Sequence, residues 1–266
     1  MQQAGREITS VDLRVVTNDK QDFLGSTGQT GDGRVFRYVK NGPNAQPAGI
    51  VLCAPYTTNF VGLTVSGSSS TLIAAGVYEI KVQLNGTAAG LNDLQDGQID
   101  ILTGTGKGTS YRIRGNNPAS AFGVVTITLE SPLVLAVPAG SIVNLGYSLW
   151  YNLTTDIAVD QSVSATNKHH VGVTTVALGA NQYGWIQTIG RGLVTSDNTY
   201  YAGSVTGITN GKIPQGFSLV LSKSTPGYVT GADPTKDADK QIVGYGLETP
   251  YVAGAGILFP ADISIG

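Results

Sequence analysis

This sequence of 266 residues has few charged side chains, with only 13% Asp, Glu, Lys and Arg against about 25% in an average globular protein. Helices on a protein surface normally carry many charged residues on the face toward water. The shortage therefore favours sheets whose outer faces carry Ser, Thr, Asn and Gly. The 16 basic and 18 acidic residues are also scattered. Without clustering, neither a nucleic-acid groove nor a basic membrane patch is expected.

Cysteine and long apolar runs are also scarce. Cys53 is the only cysteine, so no disulfide forms within the chain, and its apolar surroundings predict a buried, inert thiol. No segment has the ~18 consecutive apolar residues of a membrane helix, and the first 20 residues lack the apolar core of a signal peptide. We therefore expect a protein made in a reducing cytoplasm, neither inserted in a membrane nor secreted through a cleavable signal.

The residue types that build catalytic or metal sites do not form recognisable patterns. The two histidines, His169 and His170, are adjacent, so in a strand they point to opposite faces instead of converging on a metal ion. The segment GTGKGTS, 104–110, lacks the glycine spacing of a phosphate-binding loop and leads into a strand pattern, which predicts a turn. The acidic residues of 93–100 follow turn patterns and do not match a calcium loop. We expect no catalytic residue, no metal and no cofactor.

Glycine and β-strand formers are what this sequence has in abundance. Its 36 glycines are roughly twice the usual share of about 7%, and they separate short runs of Val, Ile, Leu, Thr and Tyr. Short strands at regular spacing are typical of a sandwich or barrel. We predict an all-β fold, a β-sandwich, jelly-roll-like or barrel domain, with an extended N-terminal arm and a C-terminal strand segment. The predicted divisions are an arm with a β-hairpin at 1–48, a main β domain at 49–222, and a linker with closing strands at 223–266.

Patterns near the N-terminus predict local structure. ITSVDLRVV, 8–16, alternates apolar and polar residues, which favours an extended arm or edge strand, with a short helix as the alternative. The Asp32-Gly33 pair supplies the positive φ angles of a tight hairpin turn, and the alternating strand RVFRYVK follows. Its basic and aromatic side chains make this strand a candidate contact surface for a partner. The interface residues predicted there are Arg34, Phe36, Arg37 and Tyr38.

A clear alternation marks residues 77–84. It places Glu79 and Lys81 on one side of a strand, and Ile80 and Val82 on the other. This pattern predicts a strand with one buried face and one solvated face.

Both tryptophans lie in strand patterns that also contain tyrosine, at 150–151 and 183–185. Core packing is the usual role of such residues. A carbohydrate-binding face uses the same residue types, so a lectin-like function would depend mainly on Trp185. Trp185 therefore completes the set of predicted interface residues.

Three segments, taken in their order along the chain, carry a family resemblance. They are GDGRVFRYVKNG (31–42), DGQIDILTGTGKGTSYRIRGN (96–116) and HHVGVTTVALGANQYGWIQTIG (169–190). In this order they resemble the auxiliary capsid proteins of tailed bacteriophages, which are called cement or decoration proteins. The ending QIVGYGLETPYVAGAGILF (241–259) also resembles the closing strands of small virion β-barrel proteins.

The resemblance implies a structural virion protein on the outer surface of the capsid. Such a protein binds the major capsid protein, commonly as a homotrimer, and staples neighbouring subunits against the pressure of packaged DNA. It is not an enzyme, and no residue roles carry over to this sequence. Two alternatives stay open: a carbohydrate-binding head-fibre or tail-associated β-protein, and a β-sandwich hydrolase.

Overall fold

The computed structural model describes residues 6–54, 60–67, 72–155, 169–197, 215–232, 241–247 and 256–265. These residues form 18 β-strands and one short 3-10 helix at Asp12–Arg14, so the predicted all-β fold is confirmed. Within the same ranges, no helix is long and apolar enough to cross a membrane.

The strands are numbered in chain order. They are β1 (Arg6–Glu7), β2 (Thr27–Gln29), β3 (Val35–Lys40), β4 (Val51–Cys53), β5 (Leu63–Val65), β6 (Leu72–Ile73), β7 (Glu79–Gln83), β8 (Gln98–Ile101), β9 (Ser110–Asn116), β10 (Val124–Leu129), β11 (Val137–Pro138), β12 (Ile142–Gly146), β13 (His170–Thr174), β14 (Tyr183–Ser196), β15 (Ser218–Leu221), β16 (Val229–Gly231), β17 (Gly244–Gly246) and β18 (Ile257–Ser264).

The chain divides into two compact units. The sheet unit comprises Met1–Tyr56 and Trp150–Gly266, and the barrel unit comprises Thr57–Leu149. The predicted boundaries at residues 48 and 222 do not coincide with the boundaries of these units. Strands from both ends of the chain pair within one sheet, and the barrel unit is inserted between them in sequence. Local composition does not reveal this arrangement, because long-range strand pairing determines it.

The barrel unit closes on itself in the strand order β10-β7-β5-β12-β8-β9. Strand β7 alternates exposed and buried residues, with Ile80 and Val82 fully buried, so the predicted half-buried strand is confirmed. Its buried face joins a core of aliphatic side chains from all six strands. The predicted turn at 104–110 is confirmed too: it joins the antiparallel strands β8 and β9, and Gly104 and Gly108 adopt φ angles of 84° and 85° there.

The sheet unit is built around β14, a strand of 14 residues. The first half of β14 pairs with β3 and β13, and the second half pairs with β18 and β16. Strands β14, β16, β15, β17 and β18 pair in this order, and β18 also pairs with β14. The five strands enclose an apolar core. Cys53 lies in that core and is fully buried, as predicted. The predicted closing strands are confirmed as β17 and β18, which complete this circuit.

The hairpin predicted at the N-terminus is confirmed, but the extended arm is not. Strands β2 and β3 pair antiparallel, and Gly33 between them has a φ of 85°. Segment 8–16 contains the 3-10 helix Asp12–Arg14 and no strand, and the backbone N–H and hydroxyl of Thr9 both donate to Asp12 Oδ2 at 2.8 Å. The turn directs Ile8 and Leu13 into the core, where they are 2% and 6% exposed.

Candidate functional site

The predicted interface residues lie mostly in the interior of the sheet unit. Phe36, Tyr38 and Trp185 are 0%, 3% and 5% exposed. Phe36 and Tyr38 project from the same face of β3, and Trp185 of β14 pairs directly with Tyr38. Their apolar cluster also contains Ile8, Leu13 and Leu24. The predicted contact role is wrong for Phe36, because its ring fills the core and has no surface left for a partner.

The two arginines among the predicted interface residues are half-buried, and each contacts other residues of the sheet unit. Arg34 Nε lies 2.8 Å from Asp32 Oδ2 in the hairpin turn. Arg37 Nη1 donates to the carbonyl oxygen of Gly25 at 2.9 Å, and its guanidinium lies 5.6 Å from the centre of the Trp150 ring. Both side chains therefore stabilise the fold around β3, and each keeps part of its surface accessible.

A pocket of about 280 Å³ lies beside Tyr38 and Trp185, and we call it the Trp185 pocket. The two rings meet edge to face at an angle of 63°, with their centroids 5.3 Å apart. The Tyr38 hydroxyl accepts a hydrogen bond of 2.9 Å from the backbone N–H of Gln21, so its own proton is left to donate. The lining residues are Arg6, Asp12, Val15, Thr17, Gln21, Asp22, Tyr38 and Trp185.

Two carboxylates and one guanidinium give the pocket its charge. Arg6 lies 3.8 Å from Asp12 Oδ1 and 3.8 Å from Asp22 Oδ2. The hydrogen bonds from Thr9 to Asp12 keep the pKa of this carboxyl below its ordinary value of 3.8, and the nearby Arg6 acts in the same direction. Asp12 is therefore ionised at neutral pH, and the pocket presents hydrogen-bond acceptors beside the guanidinium donor of Arg6.

An aromatic and cationic stack extends from Tyr38 along the same strands. The rings of Tyr38 and Tyr183 are stacked, with centroids 6.1 Å apart and an interplanar angle of 13°. Lys40 Nζ lies 4.7 Å from the centre of the Tyr151 ring and 5.6 Å from that of Tyr183. Each of these cation–π contacts contributes about 0.5–1 kcal/mol at an exposed site, which helps hold the aromatic wall in place.

Tyr38 and Trp185 are among the predicted interface residues, whereas the polar residues of the pocket are not. Arg6, Asp12 and Asp22 belong to no motif, and they meet only because the 3-10 turn lies beside β14 and the following loop bonds to Tyr38 of β3. The polar stretch TNDKQD, 17–22, is the signal that could have marked this region, since binding residues often lie on loops held by a rigid scaffold.

The barrel unit carries a second surface, which we call the apolar rim. It lies at the end of the barrel where the segment before β7 runs beside the segment after β10. The backbone N–H of Leu133 donates to the carbonyl oxygen of Val77 at 2.9 Å there, and β6 pairs with β11. The rim side chains are between 38% and 73% exposed. They are Leu72, Val77, Tyr78, Val134 and Leu135.

The acidic loop of the barrel unit has a structural explanation. Asp93 Oδ2 accepts a hydrogen bond of 2.7 Å from the backbone N–H of Gly90, and Asp100 Oδ1 accepts one of 2.6 Å from Ser110 Oγ. Asp96 forms an ion pair of 3.3 Å with Arg112. The Asp93 bond agrees with the prediction of turn chemistry, whereas Asp96 and Asp100 bind residues of strand β9. Among the residues that the structure describes, no group of three or more His, Cys, Asp or Glu is placed to hold a metal ion.

Comparisons with protein-family models, with curated proteins and with solved structures found no match for this chain.

Proposed function

We propose that this chain is a cement or decoration protein of a tailed bacteriophage, a non-enzymatic component of the virion surface. It binds the major capsid protein, staples neighbouring subunits and acts as a homotrimer. The resemblance of the three ordered segments motivates the proposal, and an all-β protein built from two compact units is compatible with it. The observation that carries the proposal is the apolar rim of the barrel unit.

The apolar rim supports a protein-binding role because its five exposed apolar residues lie on two segments that run side by side. Single exposed apolar side chains are common on proteins, but contiguous apolar patches usually mark interaction sites. Leu72 and Val134 are 59% and 73% exposed, and the pairing of β6 with β11 holds their two segments together. A capsid interface of ordinary size buries about 800 Å² on each partner. The rim supplies the apolar centre of such an interface.

Stapling fits a protein that presents several copies of a modest surface. A homotrimer carries three rims, and the capsid lattice repeats its binding site at fixed spacing. Binding of one rim raises the effective concentration of the next, so weak contacts add up to firm attachment.

The experiment mixes purified protein with capsids of the parent phage that lack it, and then measures co-sedimentation and cryo-electron microscopy density. We expect density on the outer capsid surface at three-fold or quasi-three-fold positions. Replacing both Leu72 and Val134 with Ser should weaken binding by about tenfold or more, which corresponds to about 1.4 kcal/mol.

A matched control uses two apolar residues at the opposite end of the barrel. Leu91 and Phe122 are 68% and 72% exposed and lie in the loops between β7 and β8 and between β9 and β10. The Leu91→Ser and Phe122→Ser double variant should bind capsids as the natural chain does. Density on the tail instead of the capsid, or equal losses in both double variants, would contradict the proposal.

Carbohydrate binding by a head-fibre or tail-associated protein is the second candidate function. The Trp185 pocket favours it, because this pocket combines an aromatic wall with ionised hydrogen-bonding groups. The hydrolase alternative gains no such support, because Asp93 is bonded to the backbone of its own turn and Asp100 is bonded across the sheet to Ser110 of β9.

A further inference from the structure

We infer that the Trp185 pocket binds a single pyranose ring of a carbohydrate. The inference rests on the second candidate function and is independent of capsid binding by the apolar rim. It assigns the carboxylates of Asp12 and Asp22 and the guanidinium of Arg6 to the sugar hydroxyls, and the small exposed surfaces of Tyr38 and Trp185 to the C–H groups of the ring.

The size of the pocket limits the ligand. Its volume of about 280 Å³ is close to the lower limit of about 300 Å³ for small-molecule sites. A single sugar ring fits this space, whereas a drug-sized molecule or a peptide needs more. Further units of a longer glycan would extend through the mouth of the pocket, where the side chain of Arg6 is 60% exposed.

The two carboxylates are held in place with one oxygen each directed to Arg6. Asp12 Oδ2 accepts from the backbone N–H and hydroxyl of Thr9, both at 2.8 Å. Asp22 Oδ1 accepts from the backbone N–H of Phe23 at 2.7 Å and from Ser26 Oγ at 2.8 Å. These bonds fix the orientation of each carboxylate before a ligand arrives, which lowers the entropic cost of binding.

The remaining oxygens keep their hydrogen-bonding capacity. Asp12 Oδ1 and Asp22 Oδ2 lie 3.8 Å from Arg6, which is longer than an N–H···O hydrogen bond of 2.7–3.2 Å. A sugar hydroxyl both donates and accepts, so one hydroxyl can donate to a carboxylate while it accepts from the guanidinium. Neighbouring hydroxyls of a pyranose would repeat this arrangement at the second carboxylate.

Tyr38 and Trp185 give the pocket a small apolar surface, since they are 3% and 5% exposed. Each side chain combines an apolar ring with a polar end, and the Tyr38 hydroxyl keeps a proton to donate. The packing of Tyr38 against Tyr183 and Trp185 holds the wall rigid. A sugar therefore meets an apolar surface on one side and hydrogen-bonding groups on the other.

A neutral polyhydroxyl ligand fits this pocket better than a cation. Arg6 already lies between Asp12 and Asp22 and neutralises part of their charge. A cationic ligand would have to displace Arg6 from both carboxylates, whereas a sugar ring can bind to all three groups without separating them.

The test titrates the full chain with the methyl glycosides of glucose, galactose, mannose and N-acetylglucosamine, and with arginine methyl ester. Binding is followed by saturation-transfer NMR and by the fluorescence of a Trp150→Phe variant, in which Trp185 is the remaining tryptophan. We expect at least one glycoside to bind and to change this fluorescence. Asp22→Asn and Arg6→Gln should each weaken binding by about tenfold, because each removes hydrogen bonds to a charged group.

The matched control is Asp32→Asn, which removes a carboxylate from the hairpin turn of the same unit and should leave glycoside binding unchanged. The inference is overturned if the folded natural chain binds none of the four glycosides, if Asp22→Asn and Arg6→Gln bind as strongly as the natural chain, or if only arginine methyl ester binds. Capsid co-sedimentation of Asp22→Asn should stay normal, and the rim double variant should keep glycoside binding. Failure of this inference is therefore distinct from failure of the capsid proposal.

Discussion

Gly28 of β2 lies directly against the ring of Trp185. A Cβ atom at residue 28 would come within 3.0 Å of Trp185 Cζ3 and within 2.5 Å of Ile8 Cδ1. Both neighbours are buried, at 5% and 2% exposure. The close approach of β2 therefore fixes the ring that forms one wall of the pocket, and it requires a residue without a side chain.

Replacing Gly28 with Ala should overpack this region. We expect a loss of about 1–3 kcal/mol in the free energy of unfolding and a shift in tryptophan emission, since the Trp185 ring must move. Denaturant unfolding followed by fluorescence measures both effects. Gly31→Ala is the control, because a Cβ there has no atom within 4 Å. Equal losses in the two variants would contradict this account of Gly28.

Gln187 should be important for the irregular part of β14. It is fully buried, and its side-chain amide donates to the carbonyl oxygens of Ile189, Gly190 and Arg191 at 3.2, 2.8 and 3.1 Å. A register shift against β3 occurs at the same place. Gln187→Met removes the shared donor, so we expect a loss of about 1–3 kcal/mol in urea unfolding.

The exposed Gln29 of β2 provides the comparison for Gln187. Gln29→Met should change the free energy of unfolding by less than about 0.5 kcal/mol. If Gln187→Met were equally mild, the amide would not be what stabilises the irregular stretch.

Protonation of Asp12 should lower the stability of the sheet unit at acid pH. The hydrogen bonds from Thr9 lower the pKa of this carboxyl from its ordinary value of 3.8 in the folded chain. Its contribution to stability is therefore fully present above pH 3.8 and is lost as the pH falls through the folded-state pKa. Thr9→Ala, which removes the hydroxyl donor, should raise the pKa of Asp12 in an NMR titration. An unchanged pKa would contradict this assignment.

Ionisation of Tyr147 should lower the stability of the barrel unit at alkaline pH. Burial, with a smaller effect from Asp93, raises the pKa of this phenol above 10.0, and its ring lies 5.6 Å from that of Phe60. The folded chain favours the neutral phenol, so this contribution is fully present below pH 10.0 and is lost as the pH rises through the folded-state pKa. The loss of stability between neutral and alkaline pH should be smaller in Tyr147→Phe than in the natural chain. Thermal unfolding of both chains over this range would show an equal decline if Tyr147 were not involved.

Local patterns in the sequence predicted local structure well. The alternation at 77–84 identified β7 and its buried face, and Asp32-Gly33 identified the turn between β2 and β3. Both features depend on neighbouring residues alone, namely side-chain alternation and positive φ angles. The prediction of an extended arm at 8–16 was wrong, because hydrogen bonds between Thr9 and Asp12 close a turn there.

Only part of the candidate site could be predicted from the sequence. Residue type predicts Trp185, Tyr38 and Phe36 alike as interface residues, although Phe36 is a core residue. Residue type does not distinguish a pocket wall from a core. Arg6 and Asp22 were missed because their meeting depends on the fold of the loop between them.

The sequence by itself determined the all-β class, the positions of several turns and the burial of Cys53, since low charge, glycine spacing and side-chain alternation act over short distances along the chain. Only the tertiary structure decided the strand partners of β14, the insertion of the barrel unit between the two parts of the sheet unit, and the residues that surround Trp185. These features depend on hydrogen bonds and packing between residues far apart in sequence. A strand pattern specifies which face is buried, but it does not specify which distant strand will cover it.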